Sequence, residues 1–204
     1  MAQKHIRTVV FDIGNVLASF DWKGYLKQFH FSPEMEETLG KCVFLDPLWN
    51  ERDRCSVTEE ENTQLYYEKY PHLRRELELV FSRSLEIVQE YDYSADWIRS
   101  IKQRGCQVLL LSNYAKESFT YAFEHFECLK LTDGGVISWQ VQMCKPEPEF
   151  YQVLIERYGL NPEECVFLDD SAKNIETARS LGFHTIHVTN HETASKVLSD
   201  LLDT

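Results

Sequence analysis

Short apolar runs that close on polar or charged residues alternate with segments of helical spacing along much of this 204-residue chain. Thr8-Val9-Val10-Phe11 closes on Asp12, Gln107-Val108-Leu109-Leu110-Leu111 on Ser112, and Cys165-Val166-Phe167-Leu168 on Asp169-Asp170. Continuous apolar runs of this length, rich in bulky residues, read as strands buried on both faces. Strands are expected over 7–12, 107–111 and 165–169, with a fourth over 184–188. Helices are expected over 94–104, 115–125, 147–158 and 172–181, with Gly105 and Gly182 standing where two of them should stop. Such alternation predicts an α/β fold: a Rossmann-like, doubly wound parallel sheet with helices on both faces.

Residues 16–91 break the rhythm. Aromatic, Glu, Leu and Arg residues dominate there, with helical periodicity over 23–30, 33–41, 58–70 and 73–90, punctuated by Pro33, Pro47 and Pro71. This predicts a helical-bundle insert at 16–91, which divides the core into 1–15 and 92–204. Asp133-Gly134-Gly135 is a turn signal, expected to join short strands at 128–132 and 136–139.

Charge and cysteine usage narrow the class. A net charge of -12 argues against non-specific nucleic-acid binding, which needs a positive surface. No run approaches the roughly 18 apolar residues of a membrane span, and Met1–Arg7 carries no apolar stretch suited to secretion. The six cysteines are scattered without a CxxC pair, so a disulfide framework or zinc site is not expected and a cytoplasmic location fits.

The strand ends carry the chemistry. Asp12, Ser112-Asn113, Lys145-Pro146 and Asp169-Asp170 converge on one sheet edge if the strands are parallel and adjacent. Three carboxylates, a hydroxyl and an ammonium suit phosphoryl transfer with a hard divalent cation, which takes oxygen ligands. The two adjacent acids repel unless a cation lies near.

These motifs resemble the haloacid dehalogenase-like hydrolases with a helical cap inserted after the first strand. The resemblance covers essentially the whole chain. It rests on Asp12-Ile13-Gly14-Asn15-Val16, on Trp49 and Cys55-Ser56-Val57-Thr58-Glu59-Glu60 in the cap, on Lys145 through Tyr151, and on Asp169 through Asn174. It is similar to the phosphatase branch that includes bacterial α-glucose-1-phosphate phosphatase.

The resemblance implies a Mg²⁺-dependent phosphatase acting on a small phosphorylated metabolite, possible substrates including a sugar phosphate. Asp12 would be the nucleophile and form an aspartyl-phosphate. Asp12, the Gly14 carbonyl and Asp170 would hold Mg²⁺, Asp169 would hold metal-bound water, and Asn174 would assist. Ser112 and the Asn113 backbone would bind the phosphoryl group, and Lys145 would neutralise its charge. Trp22 and Trp49 are expected to face the pocket. A monomer or a homodimer is expected.

Gly14 departs from the pattern. Most phosphatases of this family carry there an Asp that protonates the leaving oxygen and later activates water. Either the substrate has an acidic leaving group or a cap residue supplies the acid, Asp21 being the nearest in sequence. A carbon–halogen hydrolase and a non-catalytic phosphate-binding protein stay open as alternatives. Cys55 stands where the cap signature usually has Gly, a residue that tolerates positive φ.

Overall fold

The computed structural model describes residues 5–203. Positions 1–4, part of the segment read for a leader, lie outside them. In chain order the elements are β1 (Thr8–Phe11), β2 (Ala18–Phe20), α1 (Trp22–Lys27), α2 (Pro33–Leu39), α3 (Pro47–Arg54), α4 (Glu59–Lys69), α5 (Arg74–Ser82), β3 (Val88–Glu90), α6 (Ser94–Gln103) and β4 (Gln107–Ser112). They continue with α7 (Lys116–His125), α8 (Glu127–Leu131), β5 (Gly135–Ile137), α9 (Ser138–Val141), α10 (Pro148–Tyr158), β6 (Cys165–Asp169), α11 (Ala172–Ser180), β7 (His184–His187) and α12 (His191–Leu202).

Five parallel strands form one sheet in the order β5-β4-β1-β6-β7. The α/β class expected from the alternation is the fold observed. Strand side chains alternate between its two faces, as a period of two requires. Val9, Phe11, Val108 and Leu110 pack with α6, α8 and α12, while Val10, Leu109, Leu111 and Phe167 pack with α10 and α11. The chain moves outward from β1 through β4 to β5, then resumes on the other side at β6. This reversal opens a crevice at the carboxyl ends of β1, β4 and β6, the place where such sheets bind ligands.

A third apolar cluster, including Tyr25, Leu26, Leu39, Tyr66 and Leu77, draws all its members from 20–88. It is built from short helices with explicit starts. Ser32 and Asp46 cap α2 and α3 ahead of a proline at the first turn, and Thr58 with Glu61 forms a capping box on α4. Between α2 and α3, Gly40–Phe44 is a π-helical turn. Gly40 is needed there because Trp22 packs on it: an added Cβ would lie 2.5 Å from the indole ring.

Three expectations need correction. The helix over 73–90 ends at Ser82, and Val88–Glu90 pairs antiparallel with Ala18–Phe20. That pairing satisfies backbone groups that a continued helix would have held. The strand at 128–132 is instead α8, and β5 lies parallel beside β4, so there is no hairpin. Glu90 decides this locally: its carboxylate accepts from the N–H groups of Glu127 at 2.8 Å and Cys128 at 2.6 Å, capping a helix that lacks a local cap. Helices α3 and α12 were not expected, although Asp46-Pro47 and Asn190 mark their starts.

Cys55, where the cap signature has Gly, adopts φ 50° and ends α3 in the left-handed region. Gln142 Nε2 donates to its carbonyl at 3.2 Å, fixing the turn against the core.

Replacing Glu90 by Ala removes both acceptors from the start of α8. Stability is expected to fall by about 1 kcal/mol, read as a lower urea midpoint at unchanged slope. An unchanged midpoint would mean that α8 needs no cap.

Candidate active site

β1 delivers Asp12 to the crevice. Its Oδ1 accepts from the Ile13 N–H at 2.7 Å, from the Ser112 hydroxyl at 2.7 Å and from Lys145 Nζ at 2.8 Å. Among the described residues no hydrogen bond is directed at Oδ2. One oxygen is thus held by three donors while the other stays available. The same Lys145 ammonium lies 2.6 Å from Asp169 Oδ2. Asp169 also accepts from the Ser171 N–H and from Asn174 Nδ2, so both its oxygens are engaged. Asn113 holds the Lys145 backbone reciprocally: Lys145 N–H donates to its Oδ1 at 2.8 Å, and its Nδ2 donates to the Lys145 carbonyl at 3.1 Å.

The turn after Asp12 is held by Asn15 at φ 55°. Its Nδ2 donates to Asp170 Oδ2 at 2.8 Å, and its Oδ1 accepts from the Phe20 N–H at 3.1 Å. Asp12, Asp169 and Asp170 each bring a carboxylate oxygen within 4.8 Å of the others, while one ammonium pairs with two of them. Three acids against one base leave negative charge uncompensated where water is scarce. Burial and the Asp169 charge raise the Asp12 carboxyl to about 7, with Lys145 and Ser112 opposing. Lys145 itself is raised: Asp12 and Asp169 outweigh the cost of burying it. An all-oxygen site with surplus negative charge suits a hard divalent cation.

A cavity of about 290 Å³ opens over Asp12, Gly14, Asn113, Lys145, Asp170 and Asn174. The insert closes it with Phe20, Trp49, Arg52, Asp53, Ile87 and Val88. Trp49 faces the cavity, and Arg52 lies over its ring at 5.0 Å. Trp22 does not line it. The ring stacks on Phe44 at 5.4 Å and covers Gly40, on a different part of the insert. Asp21 is not at the cavity either: it accepts from the Gly24 N–H at 2.8 Å and caps α1. Ser112 sits behind Asp12, with its hydroxyl on the carboxylate rather than among the groups lining the cavity. Gly14 does line it, and a Cβ added there would meet only Phe20 Cβ, at 4.0 Å.

A family profile described as haloacid dehalogenase-like hydrolase matches residues 6–182. The chain belongs to the haloacid dehalogenase-like hydrolases. A phosphatase of Mycobacterium tuberculosis is 29% identical over 222 residues, covering 96% of this chain and 94% of that protein. Mouse acyl-CoA dehydrogenase family member 10 is 35% identical over 119 residues, 58% of this chain; the match spans only 11% of that protein's length. The solved structure of a haloacid dehalogenase family enzyme from Bacteroides thetaiotaomicron superposes with a TM-score of 0.76 at 21% identity, covering 96% of this chain and 99% of that one. The same enzyme has been crystallised with magnesium and inorganic phosphate.

Within this hydrolase, sequence reasoning missed Arg52 and Asp53. Arg52-Asp53-Arg54 is a charge run of the kind that usually faces water, and no spacing marks it. Asp53 lies near the end of α3, which packs against α9, and it lines the cavity. Burial raises its carboxyl to about 7, against Arg52 and the Ala115 backbone N–H, which lower it.

A carboxyl raised on folding holds a proton that the unfolded chain has released. The stability contributed by Asp12 and Asp53 is complete below about 4 and is lost as pH rises through about 7. In EDTA, the unfolding free energy is expected to fall between about pH 5 and 7 and to level off above that, by at most ~1.4 kcal/mol per pH unit for each group. Millimolar Mg²⁺ is expected to flatten that slope and raise Tm by favouring ionised Asp12. Stability that rises with pH over this window in EDTA would contradict the site electrostatics.

Proposed function

We propose that this hydrolase is a Mg²⁺-dependent phosphomonoesterase of small phosphorylated metabolites, working through an aspartyl-phosphate on Asp12. The observation that carries the reading is the Asp12 carboxylate itself. It is oriented by three donors on one oxygen, lies at the floor of a cavity, and sits in an acidic cluster that one ammonium does not balance. Asp12, Asp170 and the Gly14 carbonyl would hold the ion, with Asp169 behind them fixing Lys145 and Asn174. The bound ion would supply Lewis-acid neutralisation of phosphoryl charge. Asp12 Oδ2 would attack phosphorus, Lys145 would reduce repulsion between nucleophile and phosphate, and Ser112 would hold the carboxylate in the attacking rotamer.

Residues 1–15 and 92–204 then form the catalytic core, and 16–91 the cap that selects substrate. The apolar wall of Phe20, Trp49, Ile87 and Val88 suits a compact organic body, with Arg52 for its polar groups. Six free thiols fit a reducing cytoplasm. No helix among the described residues is long and apolar enough to cross a membrane. The acid cluster favours this reading over carbon–halogen hydrolysis, which needs no cation.

Hydrolysis of an aryl phosphate is expected to require Mg²⁺ and to stop in EDTA. Asp12→Asn is expected to lower kcat by on the order of 10³-fold or more. Sugar 1-phosphates lead the substrate panel. Turnover that survives both EDTA and Asp12→Asn would overturn the proposal. Phosphate binding without turnover would point to a non-catalytic protein.

A further inference from the structure

The proposed phosphatase lacks a proton carrier at Gly14, yet the space beside that residue is open. A cap residue reaches the same cavity. Among the described residues that line it there is no histidine or cysteine, and the carboxyls are Asp12, Asp170 and Asp53. The first two belong to the nucleophile and cation set. Asp53 comes from the last turn of α3, above the core.

Its backbone is fixed on both sides. The Ser138 hydroxyl donates to the Asp53 carbonyl at 2.5 Å. Before it, Arg52 donates to Ser118 Oγ at 3.1 Å and pairs with Glu59 at 2.8 Å. After it, Arg54 pairs with Glu147, and Gln142 donates to the Cys55 carbonyl. These contacts tie the end of α3 to α7, α9 and the loop that carries Lys145. Asp53 is therefore held over the site by the core itself, rather than by the insert alone.

We propose that Asp53 is the general acid and base of this enzyme, doing from the cap what the family's usual Asp would do from position 14. The inference rests on the phosphatase reading. In the first step Asp12 Oδ2 bonds to phosphorus, the bond from phosphorus to the leaving oxygen breaks, and its electron pair takes the proton from the Asp53 carboxyl. The alcohol leaves, and Asp53 is a carboxylate. In the second step water bonds to phosphorus and gives its proton to Asp53. The bond between phosphorus and Asp12 breaks, returning the electron pair to Asp12 and releasing inorganic phosphate. Both partners end as they began.

The surroundings suit a group that must both give and take a proton near neutrality. Burial raises the Asp53 carboxyl to about 7. The charged and titratable groups that face it are Arg52, Glu59 and Asp12, with Tyr114, Tyr66, Cys144 and Cys55 around them. Arg52 is the one cation of this set, and Glu59 already pairs with it.

Asp53→Asn keeps an acceptor oxygen for the Ala115 N–H and removes only the proton chemistry. The comparison is with wild type, both with Mg²⁺, on an alkyl phosphate such as glycerol phosphate and on 4-nitrophenyl phosphate. The leaving group of the aryl ester needs no acid. The variant is expected to lose about 10²–10⁴-fold in kcat/KM on the alkyl ester. On the aryl ester it is expected to give a burst of nitrophenolate stoichiometric with enzyme, followed by slow turnover. Wild-type kcat/KM on the alkyl ester is expected to fall as pH rises through about 7, and that limb should vanish in the variant. Adding Gly14→Asp to Asp53→Asn is expected to recover alkyl-ester hydrolysis at least about tenfold.

Alkyl-ester hydrolysis within about threefold of wild type would overturn the proposal. So would equal loss of the aryl burst and of the alkyl reaction, because that pattern marks a structural role. If wild type itself releases no phosphate from either ester, the phosphatase reading fails first and takes this proposal with it.

Discussion

The Lys145 ammonium is the fixed point of the molecule's chemistry. It lies 2.8 Å from Asp12 and 2.6 Å from Asp169, with almost no exposure to water. Neither acid could be buried at a strand end without it, since an unpaired buried carboxylate costs several kcal/mol. The same ion opposes the burial that favours the neutral form of Asp12, as the proposed nucleophilic role requires. Everything around Lys145 serves its placement: Asn113 holds its backbone, Asp169 fixes its head group, and Ser171 and Asn174 fix Asp169.

Fold and chemistry divide along the insertion. The parallel sheet brings Asp12, Ser112, Asp169 and Asp170 to one edge because strand order reverses at β1. In the proposed reaction these residues would serve attack on an electrophile near a cation, but they would choose no substrate. The insert contributes an aromatic wall, Arg52 and Asp53. Contacts from α3 to Ser118, Ser138 and Glu147 tie the insert to the core, and Asp53 lines the same cavity as Gly14.

Much of the core was legible because buried parallel strands leave a one-dimensional signature. Val-Val-Phe, Val-Leu-Leu-Leu and Val-Phe-Leu admit few other readings, and the residues closing them fall at one sheet edge by topology. The insert was less legible. Its helices are short, and β2 and β3 pair only three residues each, so local pattern gave no hint that Val88–Glu90 leaves the helix. α8 depends on a cap from Glu90, 37 residues away in sequence from Glu127. Trp22 and Asp21 were expected at the cavity on residue type and proximity, whereas one covers Gly40 and the other caps α1. Asp53 was invisible for the opposite reason. It lies within a charged run, yet it lines the cavity. Cys55 shows that a left-handed cap position can be met without glycine when Gln142 fixes its carbonyl.

The central claim is covalent attack by Asp12, and trapping the intermediate tests it most directly. The protein would be mixed with Mg²⁺ and a phosphate ester labelled at phosphorus, quenched in acid during turnover, and digested for mass spectrometry. The account predicts one labelled phosphoryl group on the peptide carrying Asp12, absent when EDTA is present. Phosphate released at full rate with no label on Asp12 at any quench time, or label on another residue, would contradict it.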